Sequence, residues 1–290
     1  MMLYLINGTL NAKNTIIEKT SLKRLKMFNE MGVDATLLLM HFSPNWRKTA
    51  GTIVAQKGQI KSLFDELQGF EQPTASPLSV NDFHDLDGYF RMHPESRDYQ
   101  FQDGDLTVAE AQTDKRGKVE QVRYFDRLGN QIQLDYFNDL GRLAMTAYQR
   151  DGVTAAQTYF DQADKTALTA TFDQKHYATF SKAGQHARFY SRQDLELEFL
   201  EQRLKPGDIV VTERTDYDEL LAKLPQTILK VGTIYNEIPK KLAAYDALLV
   251  RNDNQAQMAE KAGVQVVRGN DYQTDETEAW TTLLASLAKK

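Results

Sequence analysis

Hydrophobic and polar positions follow two different rhythms along this chain. Near both ends, short apolar runs alternate with amphipathic stretches. Leu3 to Asn7 is an apolar run closed by Gly8, and Ala35 to Met40 is a second. Between them Ile17, Ser21, Leu25 and Phe28 recur at helical spacing while Lys19, Lys23 and Lys26 line another face, with Asn14 as the expected N-cap and Gly32 as the stop. Strand, helix and strand in that order predict one right-handed βαβ unit with a sheet buried on both faces. A further helix is expected from about Gln59 to Gln68, with Ile60, Leu63, Phe64 and Leu67 on one face, and Pro73, Ser76 and Pro77 then break the pattern.

From Asp98 to about Tyr190 the rhythm becomes residue-by-residue alternation, the pattern of half-buried strands. A Tyr-Phe pair recurs there ahead of a turn signal. Tyr124-Phe125 precedes Asp126 to Asn130, Tyr136-Phe137 precedes Asn138 to Gly141, and Tyr159-Phe160 precedes Asp161 to Asp164, with Tyr148 ahead of Arg150-Asp151-Gly152. One strand plus one tight turn fills such a period, so the repeat predicts an antiparallel meander of hairpins. The tyrosines are expected to form cross-strand ladders, and Tyr124, Tyr136, Tyr148 and Tyr159 are the candidate partner-interface residues.

After Ser191 the first rhythm returns. Leu195, Phe199 and Leu204 mark a charged helix, Asp208 to Thr212 a buried strand, and Tyr217 to Leu224 a helix stopped by Pro225. Thr227 to Thr233, Ala247 to Val250 and Val264 to Val267 are three more strands, and a final amphipathic helix runs through Trp280, Leu283, Leu284 and Leu287. The expected fold class is therefore α/β: a Rossmann-like parallel sheet formed by residues 1–77 and 191–290, interrupted by an inserted antiparallel β-meander over 78–190.

Composition narrows the chemistry. Lys plus Arg number 35 against 40 Asp plus Glu, for a net charge of −5, which argues against a nucleic-acid partner. Without cysteine there is neither a disulfide framework nor a thiolate nucleophile, and a cytoplasmic location is expected. No apolar run is long enough to span a bilayer, so no transmembrane segment is expected. His41, His84, His93, His176 and His186 lack ligand spacing, the acidic stretch Asn81 to Asp87 lacks EF-hand spacing, and no metal or cofactor is expected. The loop after the first strand, Gly8-Thr9-Leu10-Asn11, carries neither a dinucleotide fingerprint nor a phosphate loop.

Several stretches together resemble one family: the opening strand with Ile17 to Thr20 and Leu22 to Phe28, the helix Leu63 to Gln68, the repeated Tyr-Phe-Asp/Asn-x-x-Gly hairpins, and Asp208 to Arg214. The chain resembles the N-terminal half of the GT-B (family 4) wall teichoic acid and poly(glycerol-phosphate) α-glycosyltransferases, and equally the accessory-Sec glycosyltransferase subunits that glycosylate serine-rich adhesins. The resemblance implies two Rossmann-like domains facing each other, the meander inserted in the first. It also implies acceptor handling in the first domain and a nucleotide-sugar in the second, held with a pair of glutamates separated by seven residues. This sequence has no such pair, no room for the second domain, and no histidine in the loop after the strand ending at Thr233.

Three functions stand open. The first is a non-catalytic acceptor-binding or stabilising partner of a bacterial cell-surface glycosyltransferase, associating with a catalytic subunit or with itself through the meander. Adhesin or teichoic acid would be the acceptor. The second is a fragment of a catalytic retaining UDP-sugar glycosyltransferase, against which the ending Ala288-Lys289-Lys290 reads as a finished terminus. The third is a stand-alone small-molecule enzyme using Glu18, Glu213 or Glu237 as acid or base. For an acceptor site, the strand ends nominate Asn7, Gly8, Thr9, Glu213, Arg214, Tyr235 and Asn236, since open α/β sheets bind ligands there and these loops supply Arg, Asn and an aromatic ring. No catalytic residue is expected on the first reading.

Overall fold

The computed structural model describes residues 1–10, 15–51, 59–70, 78–83, 89–92, 98–173, 178–184, 188–234, 239–269 and 276–288. The chain forms two compact units. Met1–Leu63 joins Glu196–Lys290 in the first, and Phe64–Leu195 makes the second.

The first unit is a seven-stranded parallel sheet. Its strands are β1 (Leu3–Asn7), β2 (Ala35–Leu39), β3 (Ile60–Ser62), β14 (Ile209–Thr212), β15 (Leu229–Thr233), β16 (Ala247–Val250) and β17 (Gln265–Arg268), in the spatial order β17-β16-β15-β14-β1-β2-β3. Strand order reverses direction between β1 and β14, which makes that junction the switch point of a doubly wound fold. Leu3, Leu5, Leu37, Leu39, Ile209, Val211 and Val231 pack with α1 (Ile16–Glu30) and α7 (Thr277–Leu287). Their alternates Ile6, Leu38, Val210 and Leu248 are buried as well, so both faces are covered and the runs read as continuously apolar. The ring of Trp280 meets Phe28 edge-on at 4.9 Å, tying α7 to α1.

Two expectations need correction. The stretch expected as one helix from Gln59 opens instead as β3, parallel to β2, and becomes helical only in α3 (Leu63–Gln68). Ile60 and Ser62 are buried while Lys61 is exposed, an alternation that tertiary pairing turns into an edge strand. Asn14 lies outside the described residues, and the cap of α1 is Thr15. Its side chain accepts from the Glu18 amide while Glu18 accepts from the Thr15 amide, a reciprocal capping box.

Gly232 in β15 is required by packing rather than by backbone freedom. A Cβ there would lie 2.6 Å from Leu248 Cδ2 and 2.8 Å from the Tyr245 ring. That ring cannot retreat easily, because the Tyr245 hydroxyl donates to Asp218 Oδ1 at 2.5 Å and Asp218 Oδ2 accepts from the Lys240 amide. Gly232→Ala is therefore expected to cost about 1–2 kcal/mol through overpacking, read as a lower urea midpoint with an unchanged m-value.

The second unit is a ten-stranded sheet whose strands follow one another in chain order: β4 (Tyr89–Met92), β5 (Tyr99–Asp103), β6 (Leu106–Thr113), β7 (Val119–Phe125), β8 (Gln131–Phe137), β9 (Leu143–Arg150), β10 (Val153–Phe160), β11 (Thr166–Phe172), β12 (Ala178–Lys182) and β13 (Arg188–Phe189). Every pairing is antiparallel, and α4 (Arg192–Glu201) follows. The Tyr-Phe repeat has a geometric cause. Pairing shifts register between Tyr124 and Phe125, Tyr136 and Phe137, and Tyr159 and Phe160, so each pair straddles a bulge. The next residue closes the turn with its own side chain: Asp126 Oδ1 accepts from the amides of Leu128 and Asn130, Asn138 Oδ1 from Leu140 and Arg142, and Asp161 Oδ1 from Ala163 and Lys165. Gly129 and Gly141 then take the positive φ that such a turn requires, and Asp164 takes it in the third.

The expected ladder of tyrosines does not form as one face. Tyr124 pairs with Gln133, which pairs with Tyr148, whereas Tyr136 and Tyr159 lie across Met145 on the opposite face. Cross-strand partners in the Tyr124 hairpin are an odd number of residues apart, so tyrosines 12 apart in the chain point to opposite sides. Tyr159 is buried against Phe64, their rings 4.8 Å apart, while Tyr148 is exposed.

Candidate functional site

The C-terminal ends of β1 and β14 gather polar side chains that the apolar strands behind them cannot supply. Asn7 closes β1, its Oδ1 accepting from the Gly8 amide at 2.8 Å and its Nδ2 donating to Ser21 Oγ at 3.4 Å. Thr9 Oγ1 donates to Glu18 Oε1 at 3.1 Å. Glu18 thus ties the β1 loop to the cap of α1 through both its oxygens.

Beneath these residues lies a buried charge cluster centred on Arg24 of α1. Its Nη1 donates to Glu213 Oε1 at 2.9 Å and to Thr233 Oγ1 at 3.0 Å. Its Nε and Nη2 grip Glu276 in a two-pronged pair at 2.8 and 3.0 Å. Glu276, one residue ahead of α7, also accepts from Trp280 Nε1 at 3.2 Å. Arg24 and Glu213 are each 2 % exposed at the side chain. One guanidinium therefore faces two carboxylates, all three nearly fully buried. Burial, opposed by Arg24 and reinforced by the negative charge of Glu276, pushes the Glu213 carboxyl up to about 7. Its Oε2 has no hydrogen-bond partner, the position where a proton would sit. Arg24, Thr233 and Glu276 also line a cavity of about 10 Å³, room for a single water, that extends to Val250, Arg251 and Gly269 beyond the neighbouring strands.

Asn7, Gly8, Thr9 and Glu213 are thus brought together, but Glu213 serves as a buried ion-pair partner instead of an exposed ligand group. Arg214 is half-exposed and held by Asp216, Nη2 to Oδ2 2.6 Å. Tyr235, Asn236 and Glu237 lie outside the described residues, as do His84, His93, His176 and His186. Sequence reasoning missed Arg24, Glu276 and His41. Arg24 had a signal, an arginine within the apolar stripe of α1 between Ser21 and Phe28; Glu276 had none, because only folding brings it to α1. Among the described residues no group of three or more His, Cys, Asp or Glu could hold a metal ion, and no described helix is long and apolar enough to cross a membrane.

Residues 98–191 match the family model of the GtfB middle domain. Among curated proteins no match is found. Solved structures share the fold over nearly the whole chain. The accessory secretory protein 1, 2 and 3 structure of Streptococcus pneumoniae is 18 % identical with a TM-score of 0.73, over 92 % of this chain and 62 % of that one. The Glycosylation Associate Protein (Gap123) complex of Streptococcus agalactiae is 16 % identical with a TM-score of 0.76, over 93 % and 60 %. The pneumococcal O-GlcNAc transferase GtfA in complex with UDP and GlcNAc is 15 % identical with a TM-score of 0.73, again over 93 % and 60 %. TarM shares the fold at 11 % identity and a TM-score of 0.67. The resemblance read from the sequence is borne out at the level of fold and middle domain, and the chain spans about three fifths of the length of these structures.

Proposed function

We propose that this chain is a non-catalytic acceptor-binding or stabilising partner of a bacterial cell-surface glycosyltransferase, without a nucleotide-sugar site of its own. The carrying observation is the state of Arg24. A sugar transfer must offset the charge that grows on a departing diphosphate, which takes fixed cations or dipoles. The arginine beneath the switch point is instead saturated by Glu213 and Glu276. What β1 and its loop offer is the amide of Asn7 and the hydroxyl of Thr9, groups suited to an uncharged hydroxyl-bearing acceptor. The likeness to accessory secretory, Gap123 and GtfA/B structures supports a glycosyltransferase subunit as the partner. The meander, with its edges at β4 and β13, is the surface through which it would associate with such a subunit or with itself.

A second reading rests on a specific observation, the three-fifths coverage of the matched structures: a catalytic glycosyltransferase whose donor-binding half is not in this sequence. Calorimetry with UDP-GlcNAc separates the two from a self-sufficient enzyme. No saturable heat is expected from this chain alone, and saturable heat would overturn the proposal. Co-expression with a neighbouring glycosyltransferase is expected to yield a stable complex with raised transfer activity; a monomer that leaves that activity unchanged speaks against it.

A further inference from the structure

Outside the Arg24 cluster, a second polar arrangement meets the end of β1. His41 follows β2, with its backbone amide donating to Gly8 O at 2.8 Å. Its Nε2 lies 3.5 Å from Oε1 of Glu196 on α4, and the histidine is 27 % exposed against 3 % for the carboxylate. The other edge of the imidazole lies over Gly8: a Cβ built there would be 3.0 Å from Nδ1 and 3.3 Å from Cε1. Gly8 has no positive φ, so its requirement is for space beside the ring. The ring of Tyr217 is 6.3 Å away, centroid to centroid.

At 3.5 Å the pair is a charge contact and not a hydrogen bond; the carboxylate's charge still favours hydrogen on Nε2 in the neutral ring, which leaves Nδ1 as the acceptor beside Gly8 at the end of β1. That is the place where doubly wound sheets bind ligands. An acceptor nitrogen there needs a donor from the ligand. Glu18 and Glu196 stand near the end of β1, and Arg24 is already engaged by Glu213 and Glu276, so a phosphate-bearing chain meets like charge with no free arginine beneath it among the described residues.

We propose that His41 accepts a hydrogen bond from an uncharged hydroxyl of the acceptor, with Glu196 as the positioning residue that fixes the tautomer and Gly8 as the space that lets the ring lie over the strand end. The inference rests on the acceptor-binding reading. Serine or threonine side chains and neutral sugars share this chemistry.

The experiment follows the imidazole nitrogen resonances of His41, assigned by their loss in His41→Gln, as the whole chain is titrated with a Ser/Thr-rich peptide, with GlcNAc, and with a glycerol-phosphate oligomer. The peptide or the sugar is expected to move the Nδ1 resonance, which identifies the hydroxyl source. His41→Gln and Gly8→Ala are expected to weaken that binding about five- to tenfold, the loss of one hydrogen bond. Glu196→Gln is expected to shift the His41 tautomer balance as well, which a merely structural role would not do. Binding without any change at His41 overturns this inference and leaves the acceptor reading intact. Binding of the glycerol-phosphate oligomer alone overturns the uncharged-ligand assignment. No binding of any probe, by resonance or by heat, overturns both readings.

Discussion

Arg24→Met is expected to lower the stability of the first unit by about 3–5 kcal/mol at about pH 8, the cost of leaving buried carboxylates without their cation. The wild-type arrangement places one guanidinium between Glu213 and Glu276 with three charge-assisted contacts to carboxylates and a fourth hydrogen bond to Thr233. Removing it leaves two acids that stay buried only by taking up protons. The loss should therefore shrink on acidification, because protons then replace the arginine. A second substitution gives the control: in a Glu213→Gln, Glu276→Gln background, Arg24→Met should cost far less, since no buried charge is orphaned. Both tryptophans of the chain, Trp46 and Trp280, lie in this unit, so tryptophan fluorescence during urea unfolding reports its stability directly. An equal loss in both backgrounds would show that Arg24 acts by packing alone.

The second large effect is a pH dependence with an unusual sign. The Glu213 carboxyl is pushed up to about 7, chiefly by burial, above the ~4.5 of an unfolded chain. Between those values the folded unit carries a proton that the unfolded chain has lost. Its contribution to stability is therefore fully present below about pH 4.5 and declines as pH rises to about 7. At ~1.4 kcal/mol per decade of proton affinity the decline amounts to about 3 kcal/mol. Glu213→Gln keeps an oxygen for Arg24 but has nothing to titrate, so the variant should match the wild type near pH 5 and exceed it near pH 8. Parallel stability profiles for the two proteins would place the proton elsewhere.

The sequence determined more of the fold than of the site. Apolar runs near both ends required a sheet buried on two faces, because no other arrangement hides Leu3 to Ile6, Ala35 to Leu39 and Ile209 to Val211 from water. The spacing of Asp126, Asn138 and Asp161 with a residue of positive φ three places on required hairpins, because the turn bonds are local. Strand ends likewise pointed to Asn7, Gly8 and Thr9. What only the tertiary structure decided depends on distance in the chain. Glu276 reaches Arg24 across 252 residues, Glu196 reaches His41 across the whole inserted meander, and the bulges divide the repeated tyrosines between two faces. Local chemistry sets helices, turns and strand ends. Which charges share a buried space, and so which carboxyl is pushed up, follows from packing that no stretch of sequence contains.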